Sequence, residues 1–176
     1  MPLNDLIIEA FRLDLAAKLV AAVLVGGGIG LERELKGKPA GLRTNILICV
    51  GSALLMDLSM NLAAAHGGDP GRIAAQVVTG IGFLGAGTIL HTRGQITGLT
   101  SAATIWVVAA IGLTIGAGYF IEALGSTLTV MMVLIGLGWV EKKYLSHAHD
   151  QQNGVPPGEW DQRPQGRRAS DSPHKD

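Results

Sequence analysis

An aspartate inside an apolar run is the first residue in this sequence that could do chemistry. Asp57 lies within ILICVGSALLMDLSMNLAAA, and a carboxylate near the middle of a membrane span costs ~2.5 to 3.5 kcal/mol even on lenient insertion scales. It therefore needs a proton, a cation or a polar neighbour. Lys18, near one end of an earlier apolar run, could reach it across a hairpin of two spans. Alternatively, Lys18 extends outward to Asp14, four residues back, while Asp57 lines a polar crevice. The residue types allow both arrangements.

Three further groups carry polar chemistry. Glu32, Arg33, Glu34, Lys36, Lys38, Arg43, Thr44 and Asn45 border one pair of apolar runs, and His91, Arg93, Thr97, Thr100, Ser101 and Thr104 border another. Together they could line a polar mouth, or they could simply satisfy helix ends and lipid phosphates. Arg72, following Asp69-Pro70 and followed one turn later by Gln76, makes a smaller cluster at the opposite face. Gly80, Gly82 and Gly85 spell GxGxxG, but a dinucleotide loop must follow a strand, open a helix and meet an acidic residue about 20 positions on. Here the glycines fall inside an apolar run and residue 105 is Ile.

No HExxH, Walker or GxSxG pattern is present, and the five histidines have no partners at zinc spacing. Cys49 is the only cysteine, which excludes an internal disulfide and leaves a small buried hydrophobe. The expectation is a protein without catalytic residues, cofactor or metal centre, and not an enzyme. Net charge is zero and no block of five basic residues occurs, so nucleic acid is not an expected partner.

The elements that must position these residues are membrane helices. Mean hydropathy is +0.34, and apolar runs fall near residues 15–31, 44–65, 73–90, 101–118 and 119–140. A run of about 18 residues is near the length that crosses a core of roughly 30 Å. The expected fold is all-α, with about five transmembrane helices over residues 14–144, an N-terminal segment 1–13 and a tail 145–176. The N-terminal segment places Leu3, Leu6, Ile7, Ala10 and Phe11 on one side, which suits either a helix lying on the bilayer or a plain extension of the first span. The tail, with four prolines and few apolar residues, is expected to be disordered. Arg33, Lys36, Lys38, Arg43, Arg93, Lys142 and Lys143 share one side, against Arg12 and Arg72 on the other. Positive residues favour the cytoplasm, so the N-terminus is expected outside and the C-terminus inside.

Glycine accounts for 25 of 176 residues, about twice the usual ~7%. Gly26 with Gly30, and Gly112 with Gly116, are four apart and give smooth helix faces. Gly80, Gly82, Gly85 and Gly87 are expected to pack helices in the same way, or to break the third span against protein or a watery cavity. The expected partners are the lipid bilayer and other membrane proteins, with a homo-oligomer allowed.

The wording of three blocks is informative. GLERELKGKPAGLRTN from Gly30, RIAAQVVTGIGFLGAGTIL from Arg72 and GLTSAATIWVVAAIG from Gly98 closely resemble the membrane domain of the MgtC/SapB family. The resemblance implies a multi-pass protein of the plasma membrane, the inner one where there are two. It implies a link to growth at low magnesium, to acid or envelope stress and, in pathogens, to virulence, through regulation of other membrane proteins. The motif positions are Glu32, Arg33, Glu34, Gly41, Leu42, Arg43, Thr44, Arg72, Gln76, Gly80, Gly82, Phe83, Gly85, Gly87, Gly98, Leu99, Thr100 and Trp106; Ser101 stands where the family usually has Thr. Longer members append a domain resembling an ACT fold, in whose place this sequence has its tail. A small conduit for Mg²⁺ or H⁺ is the alternative, although between the polar clusters the spans offer chiefly Asp57, Ser59, Thr79 and Thr88.

Overall fold

Backbone hydrogen bonds cannot be left unmade in lipid, so apolar runs of this length fold as helices. The computed structural model describes residues 3–92 and 95–138, with backbone only for residues 3–12, 91, 92, 95 and 137. Five α-helices result: α1 (Leu3–Leu35), α2 (Leu42–His66), α3 (Gly71–Ala86), α4 (Leu99–Gly116) and α5 (Phe120–Met132), the last continuing as a π-helical turn, Val133–Leu137. Three are long and apolar enough to cross a membrane, over Leu13–Leu35, Leu42–His66 and Leu99–Gly116. With the large outward-facing side chains of α1, α2 and α5 mostly Leu, Val, Ile, Met and Phe, the chain is an all-α integral membrane protein.

The expected spans need correction at two places. The third helix stops at Ala86 rather than reaching Leu90, and its sixteen residues measure about 24 Å at 1.5 Å each. It ends because the chain tightens there. The Gly87 N–H bonds Phe83 O, Thr88 N–H bonds Gly85 O and Ile89 N–H bonds Ala86 O, while the Thr88 hydroxyl donates to Gly85 O at 2.8 Å. These short-range bonds satisfy carbonyls that the next turn would have used. The glycines therefore close the helix at its end and do not break it in the middle. The fifth helix is α-helical only to Met132, where the 119–140 run had suggested one continuous span.

The link between α3 and α4 forms a small antiparallel hairpin, β1 (Leu90–Thr92) against β2 (Gln95–Thr97), in the register Leu90↔Thr97, His91↔Ile96, Thr92↔Gln95. Nothing in the apolar pattern announced it. Gly98 makes it possible: its φ is +91°, and an added Cβ would collide with the Thr88 carbonyl. The N-terminal segment continues α1 without a break, its side chains lying outside the described residues, as do the expected tail 145–176 and the flanking Lys142 and Lys143.

The core centres on α2. Gly26 and Gly30 of α1 sit on its backbone, such that a Cβ on Gly26 would lie 2.7 Å from Asn45 O and one on Gly30 2.8 Å from Leu42 Cα. From the other side Gly112 of α4 approaches Cys49 O, where a Cβ would stand at 2.5 Å, and Gly116 crowds Ala53 O. Cys49 is fully buried between them, with Ala22, Val108, Ala109 and Ile111 nearby in the same cluster. Close backbone approach at small residues is how helices gain dispersion energy where lipid removes the hydrophobic drive.

Candidate functional site

Helical geometry builds the first polar site from two i, i+4 pairs. Asp14 and Lys18 share a face of α1, and Asp57 and Asn61 share a face of α2. The Lys18 ammonium lies 2.6 Å from Asp14 Oδ2 and 2.7 Å from Asp57 Oδ1. Asn61 donates its side-chain amide to the other Asp57 oxygen at 3.0 Å. Both arrangements open from the sequence are thus realised at once, with one lysine serving two carboxylates. The Lys18 and Asp57 side chains are only 12% and 6% exposed, while Asp14 is 52% exposed. The buried charges cancel, and the surplus negative charge rests at the surface, where solvation is cheap.

The second polar site gathers around the C-terminal end of α1. Adjacent on the helix, Glu32 and Arg33 are both buried yet point to different neighbours. Arg33 donates to the Ser101 hydroxyl of α4 at 2.9 Å. Glu32 pairs with Lys36 at 2.6 Å, and Lys36 also donates to the Leu134 carbonyl at 3.0 Å, at the start of the π-helical turn. Such a turn shifts the i→i−4 ladder, so its carbonyls accept outside donors. Glu32 Oε2, Arg33 Nε and Asn45 Oδ1 accept or donate no hydrogen bond among the described residues. Unmet groups of this kind in a buried setting cost about 1 to 3 kcal/mol each.

Neighbouring residues shape the α1–α2 connection. Glu34, exposed, accepts the Leu42 N–H at 2.7 Å and so caps the start of α2, where N–H groups lack helical partners. Asn45 is fully buried and folds back to donate to Ala40 O at 2.5 Å and Gly41 O at 2.9 Å. Of the candidates read from the sequence, Glu32, Arg33, Asn45 and Asp57 are buried, whereas Glu34, Arg43, Thr44, Arg72, Gln76, Thr100 and Trp106 are exposed. The Arg33–Ser101 hydrogen bond joins the two polar groups that border the apolar runs, while the other named positions lie exposed around it or elsewhere on the surface. Asn61 and the Leu134 carbonyl were missed; the four-residue step from Asp57 could have pointed to Asn61, but nothing local marks a π-helical carbonyl.

The packing glycines divide as well. Gly26, Gly30, Gly112 and Gly116 make the contacts described, and Gly85 meets Ala102 at ordinary distance. Gly80 and Gly82 have open space where a Cβ would stand, and Gly87 touches only its own helix. These three make no helix contact within the chain; Gly80 and Gly82, two residues apart, point to nearly opposite sides of α3. Beside the link that joins them, α2 and α3 enclose an open cleft of about 790 Å³ lined by Ser59, His66, Asp69, Arg72 and Gln76 among others; Ser59 ties the two helices by donating to Pro70 O at 2.7 Å. No group of three or more His, Cys, Asp or Glu suited to a metal occurs among the described residues.

Comparison with known proteins adds the following. The profile described as the MgtC family matches residues 19–143. The chain is 51% identical over 123 residues to a protein named putative magnesium transporter YhiD from Escherichia coli K12, covering 66% of this chain and 57% of that one. It is 46% identical over 138 residues to protein SapB of Bacillus subtilis, covering 74% and 59% respectively. To protein MgtC of Salmonella typhimurium LT2 it is 46% identical over 113 residues, covering 64% and 48%. The chain thus aligns with about half to three fifths of the length of these relatives. No solved structure matches.

Proposed function

This chain belongs to the MgtC family, and we propose that it serves magnesium homeostasis as a non-enzymatic regulator that acts by packing against other proteins of the plasma membrane. The N-terminus lies outside and the C-terminus in the cytoplasm in this reading, which follows the excess of positive residues on one side. The observation that carries it is the dry middle of the three-helix core. Between the Lys18–Asp57 site and the Arg33–Ser101 site, α1, α2 and α4 meet backbone to backbone at Gly26 and Gly112, around Cys49, Val108 and Ala109, each at most 1% exposed. Conduction requires a continuous polar lining, and this contact would have to open before an ion could pass.

A specific feature favours the second reading, a conduit for Mg²⁺ or H⁺. Asp14, Lys18 and Asp57, with the Asn61 amide, form a ladder of polar groups reaching inward from the outer end, and intramembrane charges are frequent in ion pathways. The name of the Escherichia coli relative includes a magnesium transporter. Flux of Mg²⁺ into proteoliposomes containing only the full chain separates the readings. The regulator predicts flux equal to that of empty vesicles, together with loss of low-magnesium growth in cells lacking the chain. Robust flux abolished by Asp57→Asn would overturn it.

A further inference from the structure

We infer that the cleft between α2 and α3 holds the headgroup of one membrane phospholipid, a phosphodiester that carries a primary ammonium. The assignment is the same whether the chain regulates or conducts. The fold supplies a step for it. Because the Ser59 hydroxyl donates to Pro70 O at 2.7 Å, α3 starts beside Ser59, although α2 continues past that level to His66, a further two turns or about 10 Å. The link, residues 67–70, folds back along α2 to close the difference. The open cleft of about 790 Å³ lies in this step, within the ~300 to 1,000 Å³ of ligand pockets.

Its depth is that of lipid phosphates. Residues 66–72 read HGGDPGR, with proline the only apolar side chain, and they follow the apolar span Leu42–His66 directly. The 25 residues of α2 measure about 37 Å at 1.5 Å each, against a hydrocarbon core of roughly 30 Å, so the polar end of the helix stands in the headgroup layer. The walls are those of an amphiphile's site. His66, Asp69, Arg72 and Gln76 supply polar groups, and Leu62 and Ile73 an apolar surface beside them; Leu62 is 46% exposed.

Charge decides which headgroup fits. Arg72 and Asp69 are one turn apart and both exposed, yet neither is in an ion pair among the described residues. A cation and an anion held side by side without meeting leave room for a ligand that carries both. The Arg72 guanidinium offers paired donors suited to a phosphate, and Gln76 and His66 can each add an N–H. Asp69 Oδ1 accepts the Gly71 N–H at 2.8 Å, while Oδ2 makes no hydrogen bond among the described residues and can accept from an ammonium. With neutral His66 the lining has no net charge, so a headgroup that is only anionic would set a second negative charge against Asp69. A quaternary ammonium would balance the charge but bring no N–H for Oδ2. A primary ammonium does both, and the acyl chains leave past Leu62 and Ile73 into the bilayer.

Binding of single lipids to the purified full chain in detergent micelles, counted by native mass spectrometry, tests this. With the acyl chains held the same, phosphatidylethanolamine is expected to bind about tenfold more tightly than phosphatidylcholine or phosphatidylglycerol, equivalent to about 1.4 kcal/mol. Arg72→Gln should lower phosphatidylethanolamine binding about tenfold. Asp69→Asn, whose side chain can still accept the Gly71 N–H, should erase the preference for ethanolamine, and Glu122→Gln, at the start of α5 and outside the cleft, should keep it. Protection of the buried Cys49 from maleimide reports that each variant is folded, and the comparison of three lipids on the unaltered chain does not depend on the variants. Equal binding of the three lipids, or a preference for either of the other two, overturns the proposal, as does a preference for ethanolamine that survives both cleft substitutions in folded protein. Displacement of the lipid by excess inorganic phosphate or phosphoethanolamine would assign the cleft to a water-soluble ligand and overturn it too.

Discussion

Removing Lys18 and removing the charge of Asp57 should have unequal costs, although the two residues form one ion pair. In Lys18→Met, Asp57 loses its cation and keeps only the Asn61 amide at 3.0 Å. Breaking a buried pair from one side costs about 3 to 5 kcal/mol, and a carboxylate in a span is penalised by ~2.5 to 3.5 kcal/mol. The retained hydrogen bond offsets part of this, which leaves about 3 kcal/mol. In Asp57→Asn, Lys18 still holds Asp14 at 2.6 Å, so no charge is stranded. The loss is then one charge-assisted bond, about 1 to 2 kcal/mol. The double variant Lys18→Met/Asp57→Leu removes both charges and should recover most of the Lys18→Met loss, since neither carboxylate is left buried without a cation. Equilibrium unfolding of the purified chain in mixed detergent micelles measures all four species. The difference of about 1 to 2 kcal/mol between the single variants corresponds to roughly a five- to thirtyfold change in the folded-to-unfolded ratio. Equal losses for the two single changes, or a double variant whose loss equals their sum, would refute the shared-lysine account.

Three further outcomes follow from the packing. Gly112→Leu should destabilise the fold by about 1 to 3 kcal/mol through overpacking, because an added Cβ already meets Cys49 O at 2.5 Å; Gly82→Leu, with open space outside it, should change monomer stability by less than about 0.5 kcal/mol in the same unfolding assay. Gly98→Ala should cost about 1 to 3 kcal/mol, since both its φ of +91° and the Thr88 carbonyl resist a side chain; increased proteolysis between α3 and α4 would report the loosened link. Cys49, 0% exposed, should resist maleimide in the native protein and react fully after unfolding, and rapid native labelling would contradict the three-helix core.

Some of this was readable from local properties. Apolarity over about 18 residues is a feature of the segment itself, so the membrane class and the positions of α1, α2 and α4 were legible. The three sequence blocks around Arg33, Arg72 and Gly98 carried the family. The awkwardness of Asp57 was equally visible, because the cost of a charge in lipid depends only on its depth.

What a residue meets depends instead on which way each helix is rotated and which helix stands beside it, and one chain's pattern does not specify that. Gly26 and Gly80 look alike in sequence, yet one presses on Asn45 and the other faces outward. The sequence posed Lys18 as a choice between Asp14 and Asp57; the tertiary structure set α1 against α2 at a depth where the same ammonium reaches both. The end of α3 at Ala86 and the hairpin beyond it were likewise settled by contacts such as Gly98 against Thr88. Sequence alone determined that this chain lives in a membrane and what its polar residues would need there, because solvation is a local cost. The tertiary structure decided who supplies that need, because a partner is a matter of distance and direction between segments far apart in the chain.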